Sequence, residues 1–323
     1  MKLYEIKNSD LKVSAIAYGC MNLGSRNKNE ITDEEVSRAR ESILTAFEEG
    51  INFFDHADIY NFGKSEVIFG EILSQEKSLR DKIIIQTKCG IRFENEPEQG
   101  DPHRYDFSHK HIVESVNESL RRLQTEYIDV LLLHRSDALA EPDQLALAFA
   151  ELHSAGKVRH FGVSNHTAMQ IELLKKYIDY PIIFNQIELS LLHNQLIYEG
   201  IEFNQNLATS SLTHSTLDYC RINDITIQAW SPLAKGLLFN DSSDKSEAER
   251  ETAELIEDMA VSKHTTPEAL MLAWLLRHPA GIQPVIGTTR PRRIIDSCKA
   301  DKVSLSREDW YFLLNTVKGH NLP

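Results

Sequence analysis

Eight short apolar runs, separated by longer amphipathic stretches, constrain this chain more than any other feature of its 323 residues. The runs fall at residues 15–18, 51–54, 83–87, 128–133, 158–163, 182–185, 225–229 and 283–286. Each is rich in apolar or β-branched side chains, which suits strands buried on both faces. Helical patterns lie between them. Residues 32–49 open on Thr32 and Asp33 and close at Gly50, a start and a stop that helices favour. Residues 108–124 carry Ile112, Val113, Val116 and Leu120 on a recurring face. Residues 142–155, 167–177, 210–221, 247–261 and 291–300 follow, with an extra helix at 267–277 before the last strand.

Strands that alternate with helices predict a parallel sheet. The count of eight favours a closed (β/α)8 barrel of the TIM type, and so does the lack of a G-x-G-x-x-G after the first strand, which a doubly wound dinucleotide fold would carry. No shift in composition marks a linker, so residues 1–323 read as one domain. Residues 3–6 and 11–13, joined by Asn8-Ser9-Asp10, predict a β-hairpin ahead of the barrel. The connections 90–107 and 188–209 are long enough to be lids or binding loops.

Charge narrows the partners. The net charge of −13 opposes phosphate backbones and anionic lipid, so neither nucleic acid nor a membrane is expected. Arg290, Arg292 and Arg293 form a local basic exception. No run reaches ~18 apolar residues, so no membrane span is expected, and the first residues lack the apolar core of a secretory signal. The four cysteines, Cys20, Cys89, Cys220 and Cys298, include no CxxC pair. Reduced thiols in a cytoplasmic protein, without a metal site, are the expectation.

In a (β/α)8 barrel, functional groups sit at the C-terminal ends of the strands. Asp55, Lys88 and His134 each close a predicted strand, and Tyr60 follows Asp55 in the next loop. Four titratable groups therefore converge on one rim from adjacent strands. A tyrosine with a pKa near ~10 is a weak acid at neutral pH; a nearby ammonium stabilises its phenolate and lowers that value. A carboxylate beside the lysine keeps it charged, and a histidine can orient an incoming oxygen. Together they form a general acid aimed at a carbonyl oxygen. No Ser or Cys nucleophile has a base partner, so hydride must come from a cofactor and the substrate is a small carbonyl or alcohol.

These residues resemble a known family. Asp55-His56-Ala57-Asp58-Ile59-Tyr60, followed by Gly63, Ser65 and Glu66, is similar to the D-x-A-x-x-Y-G-x-S-E signature of aldo-keto reductases, and the likeness extends over nearly the whole chain. The resemblance implies catalytic roles for Asp55, Tyr60, Lys88 and His134, an NADP(H) cofactor and reduction of an aldehyde or ketone. It implies that Gly19, Cys20 and Met21 line the nicotinamide ribose beside Asp55. It also implies that Ser164, Asn165 and Gln186 hold the carboxamide, and that Trp230 stacks on the ring, followed by Ser231, Pro232 and Leu233. Ile286, Gly287, Thr288, Thr289, Arg290 and Arg293 resemble the adenosine-phosphate segment, with Arg293 on the 2′-phosphate and Asp296 and Ser297 near the adenine. There are two departures from the common pattern: Gly287 stands where many members carry lysine, and Asp296-Ser297 where many carry Glu-Asn. The same barrel also serves regulatory partner proteins with little turnover, which is the alternative reading. Walls near Met21, Asn22, Phe62, 92–105 and 191–203 are expected to shape the substrate pocket. Substrate identity and oligomeric state are open at this point.

Overall fold

The computed structural model describes residues 1–27, 30–202, 214–239 and 245–322. The chain enters through a hairpin, β1 (Leu3–Glu5) against β2 (Lys12–Ser14), paired antiparallel. The strands that follow are β3 (Ala17–Gly19), β4 (Phe53–Asp55), β5 (Ile84–Cys89), β6 (Ile91–Arg92), β7 (Arg104–Tyr105), β8 (Ile128–Leu133), β9 (Val158–Ser164), β10 (Ile182–Glu188), β11 (Thr226–Trp230) and β12 (Gln283–Ile286). Eight of these, β3, β4, β5 and β8 to β12, pair in parallel, and β12 returns to β3 to close the barrel. Every predicted strand is present to within a few residues, and the expected (β/α)8 barrel with its leading hairpin is the observed fold.

The helices are α1 (Asp33–Glu48), α2 (Lys64–Gln75), α3 (His109–Leu123), α4 (Pro142–Ser154), α5 (Ala168–Lys175), α6 (Gln195–Glu202), α7 (Thr216–Ile222), α8 (Glu247–Ser262), α9 (Pro267–Leu276), α10 (Pro291–Cys298) and α11 (Arg307–Lys318). Local chemistry sets many of their starts. Thr32 caps α1 through the Glu35 N–H while the Glu35 carboxylate accepts from the Thr32 N–H, and the same reciprocal pair opens α5, α8 and α11. Such caps satisfy donors the helix cannot pair itself. None of the helices is long and apolar enough to cross a membrane, among the described residues.

Three helices escaped the sequence pattern: α2, α6 and α11. The connection 188–209 is not a plain loop, since α6 lies within it; residues 203–209 fall outside the described residues, as do 210–213 of the helix expected at 210–221. The connection 90–107 carries the antiparallel ribbon β6–β7.

The hairpin plugs the N-terminal end of the barrel. Ile6, Leu11 and Val13 pack with Ala17, Phe53, Ile84, Val130, Leu132, Ile183, Phe184 and Val285 in one buried apolar cluster. Outside the barrel wall, α2 and α3 touch backbone to backbone. A Cβ on Gly70 would lie 2.2 Å from the Arg122 carbonyl oxygen, so only glycine allows this approach. It holds the middle of α2 tightly against α3.

Candidate active site

Asp55 ends β4, Lys88 lies near the end of β5, and His134 follows β8. The three strands are consecutive around the barrel, so their C-terminal ends share one sector of the rim. Tyr60 comes from the turn after β4. That turn is wound by Asn61 (φ 51°), Phe62 (φ 59°) and Gly63 (φ 85°), all left-handed. For Phe62 this conformation costs on the order of 1–3 kcal/mol. Fixed bonds hold it: Asn61 Nδ2 donates to the carbonyls of Met21 and Gly24 and to Ser65 Oγ. A Cβ on Gly63 would come within 3.0 Å of the Arg122 side chain. Arg122 donates to Glu66 Oε2 at 2.8 Å, and Thr87 donates to Glu66 Oε1 at 2.6 Å. The signature positions Gly63, Ser65 and Glu66 thus hold the tyrosine turn in place.

The Lys88 ammonium is the hub. It donates to Asp55 Oδ1 at 2.7 Å and Oδ2 at 2.8 Å, to the His56 carbonyl at 2.8 Å, and to the Tyr60 hydroxyl at 3.0 Å. Lys88 is 1% exposed. Burial opposes its charge, but Asp55 and Tyr60 together outweigh burial and hold Lys88 above the ordinary amine range. Burial is the largest influence on Tyr60 and raises its hydroxyl above the ordinary phenol value; Lys88 pulls it back only in part. The sequence argument expected the ammonium to bring Tyr60 below that value. Desolvation wins instead, and keeps the hydroxyl protonated, as a proton donor requires.

The His134 ring stands edge-on to Tyr60, with centroids 6.0 Å apart at 80°. Burial, followed by Lys88 and Arg135, pulls it well below the ordinary imidazole range, so the ring is neutral. Its Nδ1 is buried with no partner among the described residues, which leaves Nε2 as the nitrogen able to meet a ligand.

A second group adjoins the first. Trp230 Nε1 donates to Asn165 Oδ1 at 3.1 Å, Asn165 Nδ2 donates to Ser164 Oγ at 2.8 Å, and Ser164 Oγ donates to the Gln186 carbonyl at 2.9 Å. Gln186 Nε2 reaches Asp55 Oδ1 at 3.1 Å. Ser164, Asn165, Gln186 and Trp230 are thereby continuous with the Asp55–Lys88 pair. Ser231, φ 52°, turns the chain into Pro232 and Leu233. Gly19 and buried Cys20 lead into Met21, whose carbonyl is held by Asn61.

The third group begins where β12 ends. Asn22 Nδ2 donates to the Gly287 carbonyl at 2.8 Å, tying this segment to the loop after β3. Thr288 Oγ1 accepts from the Arg290 N–H at 3.3 Å. Arg290 caps α10 without a side-chain bond. Arg290 and Arg293 are exposed, and neither pairs with a carboxylate among the described residues, whereas Arg292 is bound to Asp296 at 3.1 Å. Asp296 also holds Lys299 at 2.6 Å. Ser297 is 1% exposed, with its Oγ facing the protein interior. Of the residues named for the adenosine end, the structure leaves Arg290 and Arg293 open to a ligand, engages Asp296 and buries Ser297.

Two polar residues in the signature itself were not singled out from sequence. Asp58 has a buried Oδ1 with no partner among the described residues, and burial, followed by Glu66, pushes its carboxyl up to about 8. His56 is fully buried with both ring nitrogens unpartnered among the described residues, and burial pulls it down to about 3. Their place between Asp55 and Tyr60 was the available signal.

Similar proteins give this geometry its context. The model of the aldo/keto reductase family matches residues 15–313. The chain is 35% identical over 316 residues to an uncharacterized oxidoreductase of Bacillus subtilis, YcsN, covering 97% of each. It is 32% identical to a 6-dehydroglucose reductase of Novosphingobium aromaticivorans, covering 99% of this chain and 96% of that one. Among solved structures, an aldo-keto reductase of Bacillus halodurans in its holo form superposes with a TM-score of 0.76 at 27% identity, over 99% of this chain and 98% of that chain. A family match over nearly the whole length, joined to an ammonium set between a carboxylate and a tyrosine on the barrel rim, places this chain in the aldo/keto reductase family.

Proposed function

We propose that this protein reduces an aldehyde or ketone to the alcohol with NADPH, with Tyr60 as the proton donor. The observation that carries this reading is the 3.0 Å bond from buried, charged Lys88 to the Tyr60 hydroxyl. NADPH, when bound, supplies the hydride to the carbonyl carbon. The residues of the chain do the rest. Neutral His134 offers an N–H to the substrate oxygen and orients it. Tyr60 gives its proton to that oxygen as negative charge develops there. Lys88 balances the phenolate left behind, and Asp55 keeps Lys88 charged and in place.

The cofactor reading rests on residues that fit it. Trp230 is partly exposed and adjoins the Ser164–Asn165–Gln186 group. The start of α10 offers backbone N–H groups, and Arg290 and Arg293 stand free for a phosphate. The rim also carries a row of rings: Phe62 and Phe93 have centroids 5.2 Å apart, Phe93 and His103 6.4 Å, and His103 and Tyr105 6.2 Å. This row suits a carbonyl compound that contains a ring.

The test is oxidation of NADPH and of NADH by the purified chain against a panel of aryl aldehydes and sugar carbonyls. Turnover in the wild type that Tyr60→Phe cuts by about 10²-fold or more supports the reading. Turnover that survives the substitution removes Tyr60 from its role, and no turnover with any carbonyl overturns the assignment.

A further inference from the structure

Four glutamines line the inside of the barrel beneath the active site: Gln86 on β5, Gln186 on β10, Gln228 on β11 and Gln283 on β12. None is more than 4% exposed. Strand register brings them together. Gln186 pairs with Gln228 and Gln228 with Gln283 across three adjacent strands, while Asp55 pairs with Gln86 on the facing wall. Their side chains form one continuous chain of hydrogen bonds. Gln283 Nε2 donates to the Ser14 carbonyl at 2.8 Å, and Gln228 Nε2 donates to Gln283 Oε1 at 2.9 Å. Gln86 and Gln186 donate through Nε2 to Gln228 Oε1 at 2.9 and 3.1 Å. Through the same atoms they donate to Asp55 Oδ1 at 2.6 and 3.1 Å.

The two ends of this chain dictate its sense. A peptide carbonyl can only accept, so Gln283 must meet Ser14 with its nitrogen and turn its oxygen toward Gln228. Gln228 must then turn its own oxygen toward Gln86 and Gln186, which leaves both of them nitrogen-first against the carboxylate. A flipped Gln86 would set a carbonyl oxygen against the Asp55 carboxylate. The fold instead leaves Gln86 Oε1 buried with no partner among the described residues. A polar network within an otherwise apolar barrel is expensive unless it is satisfied and specified throughout.

We propose that Gln228 and Gln283 are positioning residues: with Gln86 and Gln186 they form an amide relay that runs from Ser14 at the base of the barrel to Asp55 and fixes the carboxylate under Lys88 and Tyr60. The relay also commits both Nε2 hydrogens of Gln186. Its Oε1 is then the only side-chain atom left for a bound carboxamide, so the relay selects an N–H donor there. This inference rests on the proposed reductase reading for its consequence in turnover, but the relay itself can be read without a cofactor.

The test compares Gln228→Met with Gln228→Glu. Methionine keeps the volume and removes both ends of the link. A buried, protonated glutamate presents C=O upward and O–H downward, as the amide does. In cofactor-free protein labelled with 15N-glutamine, the side-chain NH2 groups of Gln86 and Gln186 are expected to exchange faster with solvent in Gln228→Met and at the wild-type rate in Gln228→Glu. In turnover assays, Gln228→Met is expected to lower kcat by about tenfold, the scale on which small misplacements act, with KM for the carbonyl unchanged, while Gln228→Glu keeps kcat. A purely structural role would instead make kcat follow the thermal midpoint, with the buried glutamate the more damaged of the two. Gln283→Met should shift both readouts in the same direction as Gln228→Met. Wild-type amide exchange in both methionine variants overturns the relay, as does a glutamate variant that falls with the methionine one. An inactive wild type with the predicted exchange pattern overturns only the reductase reading.

Discussion

The two ends of this barrel are built under opposite constraints. At the N-terminal end, Ile6, Leu11 and Val13 of the hairpin fill the opening against Phe53, Ile84 and Ile183 in one apolar cluster. At the C-terminal end, the buried groups are Asp55, Lys88, Gln186 and Ser164. The backbone there takes left-handed conformations at Asn61, Phe62, Asn165 and Ser231, and His56, Asp58 and His134 keep buried polar atoms without partners among the described residues. One end gathers apolar burial beneath the barrel. The other spends stability to hold charges and hydroxyls in place. The difference teaches where the free energy of folding is collected and where it is used.

Tyr60→Phe against Leu11→Ala gives the sharpest break of that comparison. The tyrosine change should lower kcat by about 10²-fold or more and leave the thermal midpoint where it was. Leu11→Ala opens a cavity in the plug and should destabilise the protein by about 2–5 kcal/mol, with kcat intact at temperatures where it remains folded. Denaturant unfolding and steady-state kinetics on both variants check the pair. If Leu11→Ala lowers kcat as much as stability, the ends are not independent.

A smaller effect tests the electrostatic cost of the rim. Asp58 sits at about 8 in the folded protein, against an ordinary carboxyl value of 3.8. Between those values the folded state holds a proton that the unfolded state has lost. Stability must therefore fall as pH rises through that window. His56 works in the other direction: it is held at about 3 against an ordinary 6.5, so stability falls as pH drops below 6.5. Asp58→Asn should flatten the alkaline slope and raise stability at pH 8 by about 1–3 kcal/mol. Unfolding free energies at pH 6 and pH 8 decide it, and an unchanged slope would show that Asp58 is ionised in the folded protein.

The same contrast explains what the sequence made legible. Strands buried on both faces announce themselves as apolar runs, and a titratable residue closing such a run, as Asp55, Lys88 and His134 do, stands out against it. Helix α2 did not stand out because its cap is Gly63, with no side-chain bond, and its first turn buries the polar residues Lys64, Ser65 and Glu66. The glutamine relay was invisible for a different reason. Its partners lie 31 to 269 positions apart, and a single Gln inside a strand looks like any polar interruption until barrel closure brings the four together. Ser297 was placed near the adenine by resemblance alone, and its side chain is buried.

The smallest expected effect concerns the arginine cluster after β12 on an acidic chain. Arg292 is already neutralised by Asp296 at 3.1 Å, so Arg290 and Arg293 carry the charge available to a 2′-phosphate. A hydrogen bond to a charged group contributes roughly 1.5–3 kcal/mol, which is about tenfold or more in affinity. NADPH is therefore expected to bind at least about tenfold more tightly than NADH. Arg293→Ala should erase most of that difference, and Arg292→Ala little of it. Gly287 permits the converse experiment. It is exposed, and a Cβ there would meet only Asn22 Nδ2, at 3.7 Å, so the Cβ of Gly287→Lys meets ordinary contact distances, and the variant should tighten NADPH further while leaving NADH nearly unchanged. Quenching of tryptophan fluorescence measures all four variants, wild type included. Trp230 is partly exposed beside Asn165, while Trp274 and Trp310 are stacked 4.9 Å apart in the core and supply a constant background. Equal dissociation constants for NADPH and NADH in the wild type would overturn the cofactor assignment. A wild type that shows no preference and a Gly287→Lys variant that gains one would place the loss of specificity at that glycine.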